Sequence, residues 1–272
     1  KIEDFWSPEY WESWQRSVAA NVVPLRRGLT DHLEVGAPPI KTKHGWLLIY
    51  SYIENYGSPV AVFGIRAALL DLDDPTKVIS RLHMPLLTPL EEYEEYGAVP
   101  KVIFPSGALV HGNKLRIYYG AADTTCALAE VGLDELMIEL LNHRRDTVML
   151  RRYPGNPILT PDQNHVWETK AVFNAAAIEL EKKIYIFYRA MSAENTSVIG
   201  CAISQDGLTI SERLAEPIYV PRAAFENKNV AGGNSGCEDP RLTRLGDRIY
   251  MTYTAFNGTD PPRVALTSIA VQ

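Results

Sequence analysis

Two adjacent carboxylates, a proline and an arginine stand together in the run Gly236-Cys237-Glu238-Asp239-Pro240-Arg241. Carboxylates so arranged can do acid chemistry. Proline fixes its own φ and biases the residue before it toward an extended backbone, which would hold Asp239 in a set direction. Arg241 can keep a neighbouring carboxylate ionised or grip an anionic ligand through two parallel hydrogen bonds. The competing reading is a surface turn closed by a salt bridge, and four residues alone do not separate the two. The run lies between a loop rich in glycine and asparagine, Asn227 to Ser235, and a strand-like stretch, Arg248-Ile249-Tyr250-Met251-Thr252-Tyr253.

The composition narrows the chemistry. A formal net charge of -6 argues against a nucleic-acid binder, which needs a basic face. No apolar run approaches the roughly 20 residues that span a bilayer. The start, Lys1-Ile2-Glu3-Asp4-Phe5-Trp6, shows no signal-peptide core and no initiator methionine, so the expected location is cytoplasmic and the gene is expected to begin upstream. Cys126, Cys201 and Cys237 are few, odd in number and without a Cys-x-x-Cys pair, which fits a reducing compartment and argues against a zinc cluster. All three read as small core residues. No resident cofactor or metal is expected.

The elements that would position the acids are strands. Gly45-Trp46-Leu47-Leu48-Ile49-Tyr50, Lys114-Leu115-Arg116-Ile117-Tyr118-Tyr119, Lys183-Ile184-Tyr185-Ile186-Phe187-Tyr188 and Arg248-Ile249-Tyr250-Met251-Thr252-Tyr253 repeat one pattern, a turn residue and an apolar strand ending in tyrosine. Each is followed by a polar loop and a second short strand: Val62 to Leu70, Thr125 to Ala129, Ile199 to Ser204 and Val264 to Ile269. Strand, loop and strand at recurring intervals predict an all-β radial array, a propeller ahead of a sandwich, because one hairpin cannot bury its own face. Glu130 to Asn142 reads as the one amphipathic helix, with Leu133, Leu136, Met137 and Leu140 at helical spacing. The polar linker after it and the turn-rich Tyr153 to Pro161 suggest a division into 1-145 and 146-272, two halves of one propeller domain. The aromatic segment from Phe5 to Trp14 is expected to pack as a partial blade.

Several motifs line up with one family. Gly155-Asn156-Pro157-Ile158-Leu159-Thr160-Pro161, Val172-Phe173-Asn174, Tyr188-Arg189-Ala190, Ser204-Gln205-Asp206-Gly207, Glu238-Asp239-Pro240-Arg241 and Tyr253-Thr254-Ala255 resemble the front half of glycoside hydrolase family 130, the β-mannoside phosphorylases. Glu34 to Ile40, Gly45 to Tyr50, Leu70-Asp71-Leu72, Asp74-Pro75, Phe104-Pro105-Ser106-Gly107 and Tyr118 to Asp123 resemble its back half. The resemblance covers nearly the whole chain, with the halves in reversed order. It implies a five-bladed β-propeller that is permuted or incomplete, since a middle blade with its Phe-Pro-Glu-Lys stretch and following histidine is not seen. A propeller tolerates permutation because its termini meet within or between adjacent blades.

The resemblance further implies phosphorolysis of a β-mannoside, β-1,4-linked, with inversion to α-mannose 1-phosphate. An inverting hydrolase needs an acid and a base about 6.5–9.5 Å apart, whereas a phosphorylase needs the acid alone, because phosphate is already a nucleophile. The family's acid maps to Asp239, whose proton reaches the glycosidic oxygen through a hydroxyl of the bound mannose. Glu238 supports the loop. Phosphate is the co-substrate, held by Arg189 and Arg263, with Arg241 either sharing that task or clamping the acids. Sugar contacts fall to Asn174, Asp123, Tyr253 and Asn257. Ala175 and Val198 depart from the family pattern, which often has proline and arginine there; with the middle-blade lysine and histidine also missing, the resemblance leaves the phosphate site short of positive charge. The alternatives are a β-mannoside hydrolase of the same fold, with Glu34 or Glu238 as base, or a non-catalytic sugar-binding propeller fragment. The expected partners are a small oligosaccharide and phosphate, and the family is often homo-oligomeric.

Overall fold

The computed structural model describes Glu9 and residues 23–142 and 147–271. Strands dominate it. A first sheet is built from β1 (His32–Glu34), β2 (Ile40–Thr42), β3 (Gly45–Glu54), β4 (Val62–Leu70) and β5 (Val78–Arg81). A one-turn helix, α1 (Glu92–Glu95), leads to a second sheet of β6 (Ile103–His111), β7 (Lys114–Ala121) and β8 (Thr125–Gly132). The helix α2 (Leu133–Asn142) follows, and β9 (Arg151–Arg152) closes that sheet by pairing with β8.

The remaining strands are β10 (Ala171–Leu180), β11 (Lys183–Met191), β12 (Thr196–Ser204), β13 (Ile210–Arg213), β14 (Ser235–Leu245), β15 (Arg248–Phe256) and β16 (Arg263–Ala270). They form one sheet of seven strands, yet it is two meanders joined at a seam. At the seam β12 and β14 run parallel and share only the pairs Thr196↔Ser235 and Ser197↔Gly236. The described residues therefore make four antiparallel units, each wound outward from an inner strand.

Side-chain alternation shows how the units stack. Along β7, Leu115, Ile117 and Tyr119 enter a core shared with the first sheet, while Tyr118 enters a second core shared with β10 and β11. Successive residues of a strand point to opposite faces, so one strand feeds two cores. The same holds for β11: Ile184, Ile186 and Tyr188 face the second core, and Tyr185 and Phe187 face a third, formed with β14 and β15. The inner strands β6, β10 and β14 touch one another. The chain is thus all-β and propeller-like, with its units turned face to face about a common set of inner strands.

The four repeated runs of the sequence are β3, β7, β11 and β15, and their second strands are β4, β8, β12 and β16. The helix begins at Leu133 rather than Glu130, because β8 continues to Gly132 and Glu130 pairs with Arg151. Its apolar stripe is as expected: Leu136, Met137 and Leu140 are buried. The division at 145/146 falls inside the second sheet, since β9 lies beyond it. Past β9, Asn156 imitates a strand by accepting from the Leu128 amide and donating to the Leu128 carbonyl. The segment from Phe5 to Trp14, apart from Glu9, lies outside the described residues.

Three units carry a buried glutamate in the approach to their inner strand. Glu94 accepts from Tyr119 at 2.8 Å and from Arg152 at 2.7 and 2.8 Å. Glu168 accepts from Tyr188 at 2.8 Å and from Arg213 at 2.7 Å. Glu226 accepts from Tyr253 at 2.5 Å. The tyrosines are the sixth residues of β7, β11 and β15, and the arginines come from the outer strands β9 and β13. A buried charge is tolerated when it is paired and hydrogen-bonded, and each glutamate ties its loop to its sheet in that way. Asp162, His165 and Glu168 also cluster closely enough to suggest a metal ion, but Glu168 already holds Arg213, Tyr188 and His165, so a guanidinium occupies the cationic role there.

Candidate functional site

Where the inner strands meet, each carries a bulge. On β14 the pairing jumps from Glu238↔Thr254 to Arg241↔Thr252, and on β10 from Phe173↔Arg189 to Ala176↔Phe187. On β6 it jumps from Pro105↔Tyr119 to Gly107↔Tyr118. An extra residue in one strand bends it and redirects a side chain. The redirected residues are Asp239, with φ 53°, and Asn174, with φ 51°. This left-handed region is open to aspartate and asparagine and costly for most other residues. The extended conformation expected of Asp239 before Pro240 is therefore not adopted. The bulge overrides the local bias, and the Asp239 carboxylate is held in place by Asn174 and Arg189.

Asp123 arrives from a different device. It sits in the turn joining β7 to β8, where Ala122 and Asp123 both have positive φ, 46° and 50°. The Thr124 amide closes the turn on the Ala121 carbonyl at 3.0 Å. Positive φ at both central positions is what the mirror-image hairpin turn requires.

These residues line one cleft of about 340 Å³: Glu34, Asp123, Asn174, Arg189 and Asp239, with Tyr56, Phe63, Phe104, Phe173, Val99 and Val102 as its apolar wall. Asn174 Nδ2 donates to Asp239 Oδ1 at 3.0 Å. Arg189 donates to Glu238 Oε1 at 2.7 Å, to Asp239 Oδ1 at 3.4 Å and to Ser197 Oγ at 3.0 Å, with its guanidinium 4.8 Å from the centre of the Phe173 ring. Every arm of Arg189 is therefore directed. Burial, with the neighbouring Asp239 and Glu34 charges, pushes the Asp123 carboxyl up to about 6 against the opposing pull of Arg189. Burial, reinforced by Asp239, also raises Glu34 and Glu238. Carboxyl groups poised this way, side by side in a cleft, are suited to proton transfer and to holding neutral hydroxylated ligands.

Arg241 lies behind the cleft. Its Nε donates to the Gly36 carbonyl at 2.8 Å, its Nη1 to the carbonyls of Asp239 and Pro240 at 3.1 and 3.0 Å, and it stacks 5.3 Å from the Phe104 ring. It fastens the β14 bulge to the first two sheets, and its donors reach carbonyls rather than the carboxylates. Burial lowers its pKa, with Asp239 offsetting part of the effect.

The other sequence-expected residues lie apart from this cleft wall. The Tyr253 hydroxyl is taken by Glu226 and by Tyr219, inside the third core. The Asn257 side chain is consumed by its own turn, accepting from the Thr259 and Asp260 amides and donating to Asp260 Oδ2. Arg263 is exposed at the start of β16, 3.9 Å from Asp260 and 5.8 Å from the Phe225 ring centre. Residues that the sequence did not single out as ligands include Ser197, Phe173, Phe104 and Tyr56. Phe173 and Phe104 lie inside recognised motifs, Ser197 stands beside Val198, and Tyr56 lies in none of the motifs.

Among the described residues no helix is long and apolar enough to cross a membrane. A family model described as beta-1,4-mannooligosaccharide phosphorylase matches residues 13–142 and 144–268. The chain is 40% identical over 102 residues to a 1,2-beta-oligomannan phosphorylase of Thermoanaerobacter sp. (strain X514), covering 38% of this chain and 33% of that protein. It is 35% identical over 123 residues to a beta-1,4-mannooligosaccharide phosphorylase of Ruminococcus albus, covering 44% and 36%. The chain thus spans about a third of the length of these curated relatives. In fold it is similar to an alpha-L-arabinofuranosidase from Lactobacillus brevis, with a TM-score of 0.57 at 17% identity, over 93% of this chain and 71% of that one.

Proposed function

The chain belongs to glycoside hydrolase family 130, and on that premise we propose that it cleaves a β-mannoside with inorganic phosphate and inversion, giving α-mannose 1-phosphate. The observation that carries this reading is the meeting of Asp239, Asn174, Asp123 and Arg189 in one cleft, on bulges and a turn from three different units. In the proposed step a phosphate oxygen attacks C1 from the face opposite the leaving group. The C1–O bond breaks, and the proton of Asp239 passes through a mannose hydroxyl to the departing oxygen. Asn174 and Arg189 fix the direction of Asp239. Asp123 accepts from mannose hydroxyls. Arg189 is the cation that lines the cleft, and we assign phosphate to it, in exchange for part of its present bonding to Glu238 and Asp239. Tyr253 is engaged by Glu226 and Asn257 by its own turn, and Arg263 is exposed, so the reading rests on the cleft residues rather than on these three.

The finer assignments are proposals of the same kind. A β-1,4 linkage is favoured by the description of the matching family model, while the relatives include both β-1,2 and β-1,4 enzymes. We propose a five-bladed ring in which 1-145 and 146-272 contribute to one propeller domain, the described residues accounting for four of its units. A cytoplasmic protein is consistent with three buried, unpaired thiols, and a homo-oligomer is proposed on the family resemblance alone.

A second reading has a specific observation behind it. The cleft wall holds three carboxylates, Glu34, Asp123 and Asp239, against one guanidinium already engaged by Glu238 and Asp239. Such a balance favours a neutral ligand over phosphate, and Glu34 could then serve water as a base. Incubating the protein with β-1,4- and β-1,2-mannobiose, with and without phosphate, tests both readings. Mannose 1-phosphate formed only with phosphate supports phosphorolysis. Free mannose alone, at a rate indifferent to phosphate, supports hydrolysis and overturns it.

A further inference from the structure

Tyr56 lies on the wall of the cleft that holds the carboxylates, and more than half of its surface is exposed. A single exposed aromatic ring is ordinary; what sets this one apart is its place on the cleft wall and the support behind it. Its loop is anchored. The Tyr56 amide donates to the Thr30 carbonyl at 2.9 Å, the Ser58 amide closes on Asn55 at 3.1 Å, and Asn55 and Gly57 take positive φ on either side. The ring is backed by His32, stacked with centroids 4.4 Å apart and planes at 23°. His32 is itself set by β1, opposite Ile53, and lies 3.7 Å from Glu34. One face of Tyr56 is therefore braced by His32, and the backbone of its loop is anchored.

The acids and amides that would hold the reacting mannose, Asp123, Asn174 and Asp239, are all polar and grouped together. A neighbouring sugar ring offers something else, a patch of axial C–H bonds that loses water on contact with a flat aromatic surface. We infer that Tyr56, braced by His32, is the platform for the second sugar, the ring that leaves on phosphorolysis and accepts on synthesis. The inference rests on the mannoside reading of the cleft and deepens it by naming a residue that sets acceptor affinity. The platform recognises a ring face, so its stacking should not need the phenol hydroxyl.

Calorimetric titration with mannose and with β-1,4- and β-1,2-mannobiose, using wild type, Tyr56→Ala and Tyr56→Phe, tests this without relying on turnover. The expected result is mannobiose affinity weakened about tenfold or more in Tyr56→Ala, the scale of one lost ring contact, with mannose affinity unchanged and Tyr56→Phe close to wild type. In turnover the same loss should appear in KM for mannobiose rather than in KM for phosphate. Unchanged mannobiose affinity in Tyr56→Ala overturns the inference while leaving the mannoside reading standing. A Phe variant as weak as Ala overturns stacking in favour of a hydroxyl contact. A wild type that binds no mannobiose overturns the mannoside reading and the platform with it.

Discussion

Asn174 Nδ2 donates to Asp239 Oδ1 across 3.0 Å, and both residues stand at positive φ on bulges of inner strands from different units. The bond spans the junction that brings the site together. It ties the direction of the proposed acid to the packing of one unit on the next, so a shift of β10 relative to β14 would move the carboxylate. Asp239→Asn keeps the size of the side chain and removes the proton. Turnover of β-mannobiose should fall about 100-fold or more, the usual scale for a positioned acid, with the melting transition retained. Near-normal turnover would remove Asp239 from the acid role.

A second consequence concerns Gly120. A Cβ built there would lie 2.2 Å from Asn174 Oδ1 and 3.1 Å from the Asn174 amide nitrogen. Such an approach is not tolerated, so Gly120→Ala must displace the Asn174 side chain. Gly120→Ala should lower kcat about as much as Asn174→Ala does, and the double variant should lose little more, because the two act through one contact. Additive losses would argue that Gly120 matters for another reason.

Asp123 gives a pH test. Its carboxyl titrates at about 6 when folded, above the ordinary value of 3.8. The folded state therefore binds the proton more tightly than the unfolded chain. That contribution is fully present below about 3.8 and is lost as pH rises through about 6. At pH 7 the ionised Asp123 is a burden on the order of 1–3 kcal/mol. Asp123→Asn should accordingly melt higher than wild type at pH 7, with the gain shrinking toward pH 4, while mannose binding weakens. A gain independent of pH would disprove the account.

Much of this was legible in the sequence, for physical reasons that differ from residue to residue. The strands β3, β7, β11 and β15 were visible because each is rich in apolar residues and carries a tyrosine at its sixth position. The acid pair stood out through the rigid Pro240. The buried glutamates were not visible, because Glu94, Glu168 and Glu226 precede their tyrosines by 25, 20 and 27 residues. That variable spacing disguised Tyr253 as a sugar ligand, when its hydroxyl belongs to Glu226. The bulges were equally hidden. Nothing local in Phe173-Asn174-Ala175 announces a left-handed residue, and at Asp239 the proline pointed the wrong way. Arg263 misled because a cation in a motif-rich region looks the same in sequence whether it faces the cleft or solvent.

The two arginines can be separated by experiment. Arg189 is mostly buried, stacked on Phe173 and donating to Glu238 and Ser197. Arg263 is largely exposed, at the limit of ion pairing with Asp260 and 5.8 Å from the Phe225 ring centre. Lysine keeps the charge but loses the planar fork. Arg189→Lys should raise KM for phosphate severalfold or more and lower the melting temperature, whereas Arg263→Lys should change both only slightly. Equal effects on phosphate KM would return Arg263 to the phosphate site.

The last prediction compares the buried glutamates. Glu168 and Glu94 each hold an arginine from an outer strand, Arg213 and Arg152 respectively. Glu226 accepts from Tyr253 and from the amides of Arg222 and Ala223 at 2.7 and 2.9 Å. No ion pair to Glu226 is found among the described residues, and its unit has three strands there, β14 to β16, without an outer fourth. Removing one partner of a buried pair strands the other charge, at a cost of about 3–5 kcal/mol. Removing an acceptor of hydrogen bonds alone costs about 1–3 kcal/mol. Glu168→Gln and Glu94→Gln should therefore destabilise more than Glu226→Gln when unfolding is followed in urea. The first two should also be partly rescued by neutralising the stranded partner, as in Glu168→Gln with Arg213→Met. If Glu226→Gln proves as damaging as the others, the ion pairs are not what sets Glu94 and Glu168 apart.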